Sequence, residues 1–498
     1  INEAVLKLTR HDFTRSLLQH NQEYYKFIRE GVPVSYRDSQ GRLVEIRAKV
    51  IDFQNGTAPD GKPNNRFLAV RELKITGLRT PGYNRRADLV CFVNGLPLVF
   101  IELKAVYKNI RAGFDGNLRD YMHDSVIAHA FHHNAFVIVS NGHRARYGSI
   151  TTGWEHFSEW KRLKEDDRKG SVEAERLLNG MLAHDRLLDL VENFILFDAS
   201  RAGSTRKIIA KNHQVMGVNN AVKSVERQEE LKKQFPPDKR LTYRVIELPA
   251  EELTDEEMPK LGFGKAKAEP SRLLQFADRI SESQELQSPL AKIPVTGPRT
   301  LTVIEPAHPD LGKLGVFWHT QGGGKSYSMA FFAEAVRRKI SAGYTFVIMT
   351  DRLDLDSQIY RTFVGCGLCD DNTPRPAIAD DLKRLQMEKH RFVFSLIHKF
   401  NKDVTEPYSE RDNVIVISDE AHRSQAGKLA RNMRLALPNA AFIGFTGTPL
   451  FKHDHLTRRI FGGYVSKYDF QRSVEDGATV KLVYENREAR SWGLPVSI

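Results

Sequence analysis

Asp88, Glu102 and Lys104 are the first residues along this chain whose types and spacing suggest chemistry. They bound DLVCFVNGLPLVFIELK, an apolar run interrupted by Asn94-Gly95. Asn-Gly between apolar runs is a strong two-residue hairpin signal, so the stretch is expected to form two adjacent antiparallel strands. Alternation puts Glu102 and Lys104 on one face of the second strand and Ile101 and Leu103 on the other. Asp88, expected to head the partner strand, would meet them at the open end of the hairpin. Two carboxylates and an ammonium converging on one spot suit metal-dependent phosphodiester hydrolysis. Asp88 and Glu102 offer hard oxygen ligands for Mg2+, and Lys104 can position the attacking water or stabilise charge developing on the phosphorus. A salt-bridged strand end would give the same letters.

A second set of chemical residues follows about 220 positions later. In GVFWHTQGGGKSYSM an apolar strand runs into Thr320, Gln321 and the glycines 322, 323 and 324, then Lys325 and Ser326 open a helical stretch. Gly322, Gly323 and Gly324 let the backbone wrap a phosphate, Lys325 can reach β- and γ-oxygens, and Ser326 can ligate Mg2+. The strict Gly-x4-Gly-Lys-Ser pattern wants glycine at position 319, where this chain has His319. In VIVISDEAHRS a strand delivers Asp419 and Glu420 at its carboxyl edge, where ligands sit in open α/β sheets. Asp419 would hold Mg2+ through water, and Glu420 would orient or deprotonate the attacking water. A third strand ends in Thr446-Gly447-Thr448-Pro449, whose hydroxyls could sense the nucleotide.

These residues need scaffolds, and the 498-residue chain is long enough for about three domains. From residue 1 to about 160, short β-type runs alternate with turn signals. Residues 161–200 have helical period and dense charge, as expected of a helical connector. Residues 201–470 carry the phosphate-loop motifs, with an insertion at about 225–310 expected to hold loops and a helix or two. Residues 471–498 would begin a further connection. In the last half GVFW, FVIM, FVFSLI, VIVI and AFIGF are uniformly apolar, as are parallel strands buried on both faces, and helical stretches separate them. The expected fold is therefore α/β: an N-terminal α/β domain carrying the first site, then a doubly wound parallel sheet carrying the second.

Composition narrows the partners. With 74 Lys and Arg against 62 Asp and Glu, the formal charge of +12 favours a polyanion, nucleic acid ahead of an anionic membrane. Three cysteines are too few for a disulfide framework, and the Cys366/Cys369 pair lacks the second pair of a zinc ribbon. No stretch approaches a membrane span, so a cytoplasmic protein with no membrane partner is expected. His132-His133 and His453/His455 are expected to be solvated or structural, and Tyr24-Tyr25 to pack. The chain begins at Ile1 rather than Met, so a native start upstream is expected.

The motif set also carries a resemblance. TQGGGKS, the DEAH of Asp419 to His422, and TGTP are similar to motifs I, II and III of superfamily 2 helicases and translocases. FVIMTDRLDLDSQ resembles their DNA-backbone motif Ia, and KNHQVMGVNNAV their adenine-reading motif through Gln214. The resemblance implies a RecA-like ATPase lobe using ATP and Mg2+. It also implies a second RecA-like lobe bearing an arginine finger, which would begin beyond SVEDGATVKLVYENR, so the chain is expected to be a fragment. Asp88, Glu102 and Lys104 resemble the PD-(D/E)xK nuclease signature, with Ala87 in place of proline. Asn117 and Tyr121 stand at the spacing of the Gln-x-x-x-Tyr element of RecB-like nucleases, with Asn for Gln. With VIVSNGHRARYGS, this arrangement resembles the restriction (HsdR) subunits of type I restriction-modification enzymes, which carry such a nuclease ahead of a DEAH translocase. The resemblance implies cleavage of duplex DNA away from a recognition site, with methyltransferase and specificity subunits as partners. A free-standing helicase-nuclease and a non-cleaving DNA remodeller stay open as alternatives.

Overall fold

The computed structural model describes residues 1–248 apart from 81, 165–166, 168–171 and 202; residues 299–447 apart from 352, 371, 376–389, 401–403, 405 and 420–427; and residues 458–479 apart from 459 and 478. Glu420, His422, Thr448, His453, His455 and residues 249–298 of the expected insertion lie outside the described residues.

The chain opens with helices Asn2–Thr9 and Leu17–Glu30, the second started by a capping box between Ser16 and Gln19. Strands β1 (Val32–Arg37) and β2 (Leu43–Ala48) form a separate antiparallel pair. The first large sheet has the order β3-β4-β5-β6-β7, with β3 Phe67–Thr76, β4 Asn84–Val93, β5 Leu96–Leu103, β6 Phe136–Ser140 and β7 Ala145–Gly148. Asn94 (φ 51°) and Gly95 (φ 84°) make the tight β4–β5 turn that their sequence predicts. The parallel β5–β6 pair requires a crossover, and residues 104–135 supply it, including a helical segment at 111–121. Phe114, Leu118 and Tyr121 of that segment pack on Val90, Phe100, Val137 and Val139 of the sheet. Ile101 and Ile138 face the opposite core with Tyr25 and Ile28.

Residues 161–200 differ from the expected helical connector. Helices Glu173–Met181 and His184–Asn193 give way to β8 (Ile195–Arg201), paired antiparallel with β9 (Ser204–Ile209), so a hairpin spans the expected boundary near 200. The hairpin bridges the two halves of the molecule. Lys207, 1% exposed, donates to Asn21 Oδ1 at 2.9 Å, while Tyr327 of the helix after the phosphate loop donates to Asp198. Tyr24 and Tyr25 are buried as expected, and the Tyr25 hydroxyl donates to the Val191 carbonyl at 2.8 Å.

Helix Asn212–Gln234 runs into the expected insertion, whose described ends are strands rather than loops: β10 (Leu241–Leu248) pairs antiparallel with β11 (Arg299–Pro306). The second large sheet follows, with β12 Lys313–His319, β13 Thr345–Thr350, β14 Phe392–Leu396, β15 Val414–Ser418, β16 Ala441–Thr446 and β17 Tyr464–Tyr468. All six strands run parallel in the order β14-β13-β15-β16-β12-β17. The five apolar runs read from sequence are its inner strands and one edge, whereas β17, with Ser466 and Lys467, was not anticipated. Helix Asn212–Gln234 lies across β12 and β17, where a Cβ at Gly217 would sit 2.7 Å from the Phe317 ring. Glycine there sets how closely helix and sheet approach. Among the described residues no helix is long and apolar enough to cross a membrane.

Candidate functional site

Asp88 does not head its strand. β4 begins at Asn84 and pairs with β3 on both sides of Asp88, from Asn84 to Ala87 and from Leu89 to Val93, and the β4–β5 ladder ends at Leu89↔Ile101. Asp88 therefore sits where β4 parts from β5, and its Oδ2 accepts from the Leu103 amide at 2.8 Å. That bond ties the Asp88 carboxylate to the end of β5, beside Glu102 as the alternation predicts. The Lys104 ammonium donates to Glu102 Oε1 at 2.8 Å and to Asn117 Oδ1 at 3.2 Å. Asn117 Nδ2 donates to the Tyr121 hydroxyl at 3.4 Å, which donates to the Arg86 carbonyl at 3.3 Å, two residues before Asp88. The five residues predicted from sequence thus form one connected constellation.

The helical segment has a reason to be irregular here. Residues Phe114–Leu118 form a π-turn between short α segments, a device that rotates a side chain out of regular α phase. Gly113, just before it, is pressed on the site: a Cβ would lie 2.8 Å from Val139 Cγ1 and 3.2 Å from Glu102 Cγ. Burial pushes the Glu102 carboxyl up to about 7, the Lys104 hydrogen bond opposes the rise, and the nearby Asp88 carboxylate adds to it. Burial holds the Tyr121 hydroxyl up at about 12, so it stays a donor at neutral pH. The buried Glu102 carboxylate beside the half-buried Asp88 carboxylate, with an ammonium alongside, fits a divalent cation with oxygen preference.

In the second sheet, β12 ends at His319 and the chain turns through Thr320–Gly324 into helix Lys325–Lys339. Gly322 (φ 83°) and Gly324 (φ 77°) adopt the left-handed conformation that the loop requires. No side chain caps this helix start, so its first-turn amides can meet an anion. Asp419 follows β15, 4% exposed, with its amide bonded to the Met349 carbonyl at 2.8 Å. β16 lies between β12 and β15 and brings Thr446 and Gly447 to the loop; a Cβ on Gly447 would be 3.0 Å from the Lys325 ammonium. Thr320, Gln321, Gly322, Gly323, Gly324, Lys325, Ser326, Asp419, Thr446 and Gly447 thus share the carboxyl edge of the sheet.

Gln214 is engaged with this loop. Its Nε2 donates to the Gly324 carbonyl at 3.0 Å and to Ser328 Oγ at 3.3 Å, while its Oε1 accepts from the Lys211 amide. Sequence reasoning missed its neighbour. His213 Nε2 stands 3.0 Å from the Gly323 carbonyl, and the imidazole stacks on Tyr468 with centroids 3.9 Å apart. Burial brings His213 down to about 4, so the neutral ring donates its Nε2 proton. His319, where the strict pattern wants glycine, is buried beneath the loop and bonds Ser466 Oγ at 2.8 Å.

Histidines also gather in the first domain. His11, His20 and His132 bring ring nitrogens within 4.8 Å of one another. Their rings are stacked at interplanar angles of 9° or less, which sets the in-plane lone pairs side by side instead of aiming them at one point. His20 is also committed through both nitrogens, to the Ser16 carbonyl and the Asp12 amide. Of the two roles expected for His132 and His133, the structural one holds: His132 is buried, and the half-buried His133 bonds the Leu8 carbonyl near the end of the first helix.

Two family descriptions match separate parts of the chain. Residues 1–169 match the family described as Type I restriction enzyme R protein N terminus, and residues 299–492 match the SWI2/SNF2 ATPase family. The type I restriction enzyme HindI endonuclease subunit of Haemophilus influenzae is 33% identical over 510 residues, covering 98% of this chain and 40% of that protein. A putative type I restriction enzyme MjaIXP endonuclease subunit of Methanocaldococcus jannaschii is 26% identical over 489 residues, covering 93% of this chain and 38% of its own. The chain thus spans about two fifths of the length of these relatives. It is a homologue of the endonuclease (HsdR) subunits of type I restriction enzymes, with an HsdR-type N-terminal domain continuing into a SWI2/SNF2 ATPase domain.

Proposed function

We propose that this chain is the nuclease and first motor lobe of a type I restriction subunit, which uses ATP to translocate duplex DNA and cuts it away from the recognition site. The observation that carries the reading is the presence, on one chain, of the Asp88–Glu102–Lys104–Asn117–Tyr121 constellation and the phosphate-loop edge of the parallel sheet. Methyltransferase and specificity subunits would choose the target, and the enzyme would act in the cytoplasm. Residues 1–160 would be the nuclease, the stretch from 161 through the β8–β9 hairpin its connector, the chain from there to 470 the first RecA-like lobe, and 471–498 the lead into a second.

At the nuclease site Asp88 and Glu102 would hold Mg2+, which supplies Lewis-acid polarisation of the phosphate and of a bound water. Lys104, fixed between Glu102 and Asn117, would orient that water and offset charge gathering on the phosphate oxygens. Asn117 and Tyr121 act through Lys104 by fixing where its ammonium points. At the motor site the first-turn amides and Lys325 would receive the phosphates of ATP, Ser326 and Asp419 would hold Mg2+, and Glu420 would orient the attacking water. His422 would contribute to ATP binding, and Thr446, Gly447 and Thr448 would report the nucleotide state to the DNA-facing parts. The test is the full-length subunit assembled with its proposed partners on circular DNA carrying one unmethylated recognition site. Cuts should fall far from the site and require hydrolysable ATP. Cutting confined to the recognition sequence, or indifferent to ATP, would refute the reading.

A further inference from the structure

Immediately after Lys104 the chain makes a β-turn in which the Lys108 amide bonds the Ala105 carbonyl at 2.8 Å. The two corner positions of such a turn protrude furthest and usually carry Gly, Pro, Asn, Asp or Ser. Here they are Val106, 64% exposed, and Tyr107, 86% exposed. The turn is also held from beneath. Asn141 Nδ2 donates to the carbonyls of Val106 at 3.0 Å and Lys108 at 3.1 Å, while its Oδ1 accepts from the amides of His143 and Arg144. Asn141 itself is 8% exposed, and the Lys104 amide bonds the Ser140 carbonyl next to it. The Ser140–Arg144 turn therefore fixes both the catalytic lysine and the corner that displays an aromatic ring to solvent.

We infer that Tyr107 is a DNA-contacting residue that stacks on a base or wedges into a base step beside the phosphate being cut; this rests on the nuclease reading above. Three residues span at most about 11 Å, so the ring stays within reach of nucleotides flanking a phosphate held at Lys104. Lys108 follows on the same exposed stretch and suits a flanking phosphate, and Arg111 beyond it is held by an exposed ion pair with Asp115 at 2.9 Å, which a phosphate can displace. An exposed aromatic among cations is the combination that stacks on bases without reading their sequence. It fits cutting that does not depend on a sequence at the cut. An unbraced loop would pay the entropy of ordering at each encounter, and the Asn141 clamp removes that cost in advance.

The experiment uses the full-length subunit in its assembled enzyme. Tyr107→Ala should slow DNA cutting about tenfold while Tyr107→Phe and Tyr107→Trp stay within about twofold of wild type, the pattern of lost and retained stacking. DNA-stimulated ATP hydrolysis should be unchanged in all three. A photoreactive benzoylphenylalanine introduced at position 107 should form an adduct with duplex DNA. Asp88→Ala, run in parallel, separates the two readings. If Asp88→Ala is inactive while Tyr107→Ala cuts at the wild-type rate, or if the adduct forms only with another protein chain, the stacking role alone is overturned. If Asp88→Ala still cuts, the nuclease reading falls and this inference with it.

Discussion

The Lys104 ammonium stands between the Glu102 carboxylate, 2.8 Å away, and the Asn117 amide oxygen, 3.2 Å away. Held from both sides, it cannot swing out to solvent, so its charge is available at a fixed place. Lys104→Ala and Asp88→Ala should each bring DNA cutting in the assembled enzyme below detection, with ATP hydrolysis retained because the phosphate loop belongs to the other sheet. Plasmid linearisation and phosphate release, measured on the same preparations, check this. Wild-type cutting by Lys104→Ala would remove the lysine from the mechanism.

Glu102 should give the first domain a metal-dependent pH response. Its carboxyl is raised to about 7 in the folded chain, against an ordinary value of 4.5, chiefly by burial. A raised carboxyl favours folding while protonated, and that benefit is lost as pH climbs from about 4.5 through about 7. Relative to Glu102→Gln, the metal-free wild type should therefore lose up to about 3 kcal/mol between pH 4 and pH 8. If Glu102 holds Mg2+ as proposed, the cation needs the ionised carboxylate, so added Mg2+ should restore much of this at pH 8 and little at pH 5. Urea unfolding at the pH extremes, with and without Mg2+, is the measurement; a wild-type-to-variant difference independent of pH would contradict the buried-carboxylate argument.

At the phosphate loop, Lys325→Ala should remove charge compensation for the phosphates, so ATP binding weakens and hydrolysis is lost. Glu420→Gln, at the strand end marked by sequence, should bind ATP and fail to hydrolyse it. Both should abolish cutting of DNA that must first be translocated. Filter binding of labelled ATP alongside steady-state turnover distinguishes the two; normal turnover in Lys325→Ala would mean that the loop is misassigned.

His213 and Gln214 hold the carbonyls of Gly323 and Gly324, and so set how the loop presents its amides. His213→Ala should raise the KM for ATP about three- to tenfold, the worth of one hydrogen bond, with a smaller effect on kcat. Because His213 is brought down to about 4, it is neutral throughout the working range, and its removal should leave the pH profile between 6 and 8 unchanged. His213→Gln, which keeps a donor, should recover part of the loss. A kcat defect with unchanged KM would show that the imidazole acts elsewhere.

Which of these relationships could be read in advance follows from their range. Glu102 and Lys104 share a face because strands alternate, and Asn94-Gly95 fixes the turn; both signals are local. That Asp88 lies within β4 instead of at its start depends on pairing with β3, and no nearby residue marks where β4 leaves β5. The buried strands β12 to β16 announce themselves as apolar runs, whereas β17 at the sheet edge carries Ser466 and Lys467 and does not. β8 hides because ILFDAS continues the apolar pattern of the helix before it, and only pairing with β9 makes it a strand. The bonds from His213 and Gln214 to the phosphate loop join residues 110 apart in sequence, beyond any periodicity.

Gly113 tests whether the fit of the helical segment on Glu102 and Lys104 matters. Its backbone is ordinary right-handed helix, φ −70° and ψ −36°, where alanine is normally favoured over glycine by about 1 kcal/mol. Propensity alone would thus make Gly113→Ala stabilising. The packing says otherwise, because the added Cβ would meet Val139 Cγ1 at 2.8 Å, Glu102 Cγ at 3.2 Å and Lys104 Cε at 3.4 Å. Val139 lies in a strand buried on both faces and has little room to yield, so the segment must lift or the two site residues must shift. Gly113→Ala should therefore raise the Mg2+ concentration for half-maximal cutting and lower the maximal rate, while DNA-stimulated ATP hydrolysis is unaffected. Mg2+ titrations of cutting, paired with thermal melts, separate this from general unfolding. A variant that melts higher and cuts normally would show that the close approach of Gly113 to Glu102 and Lys104 has no part in placing them.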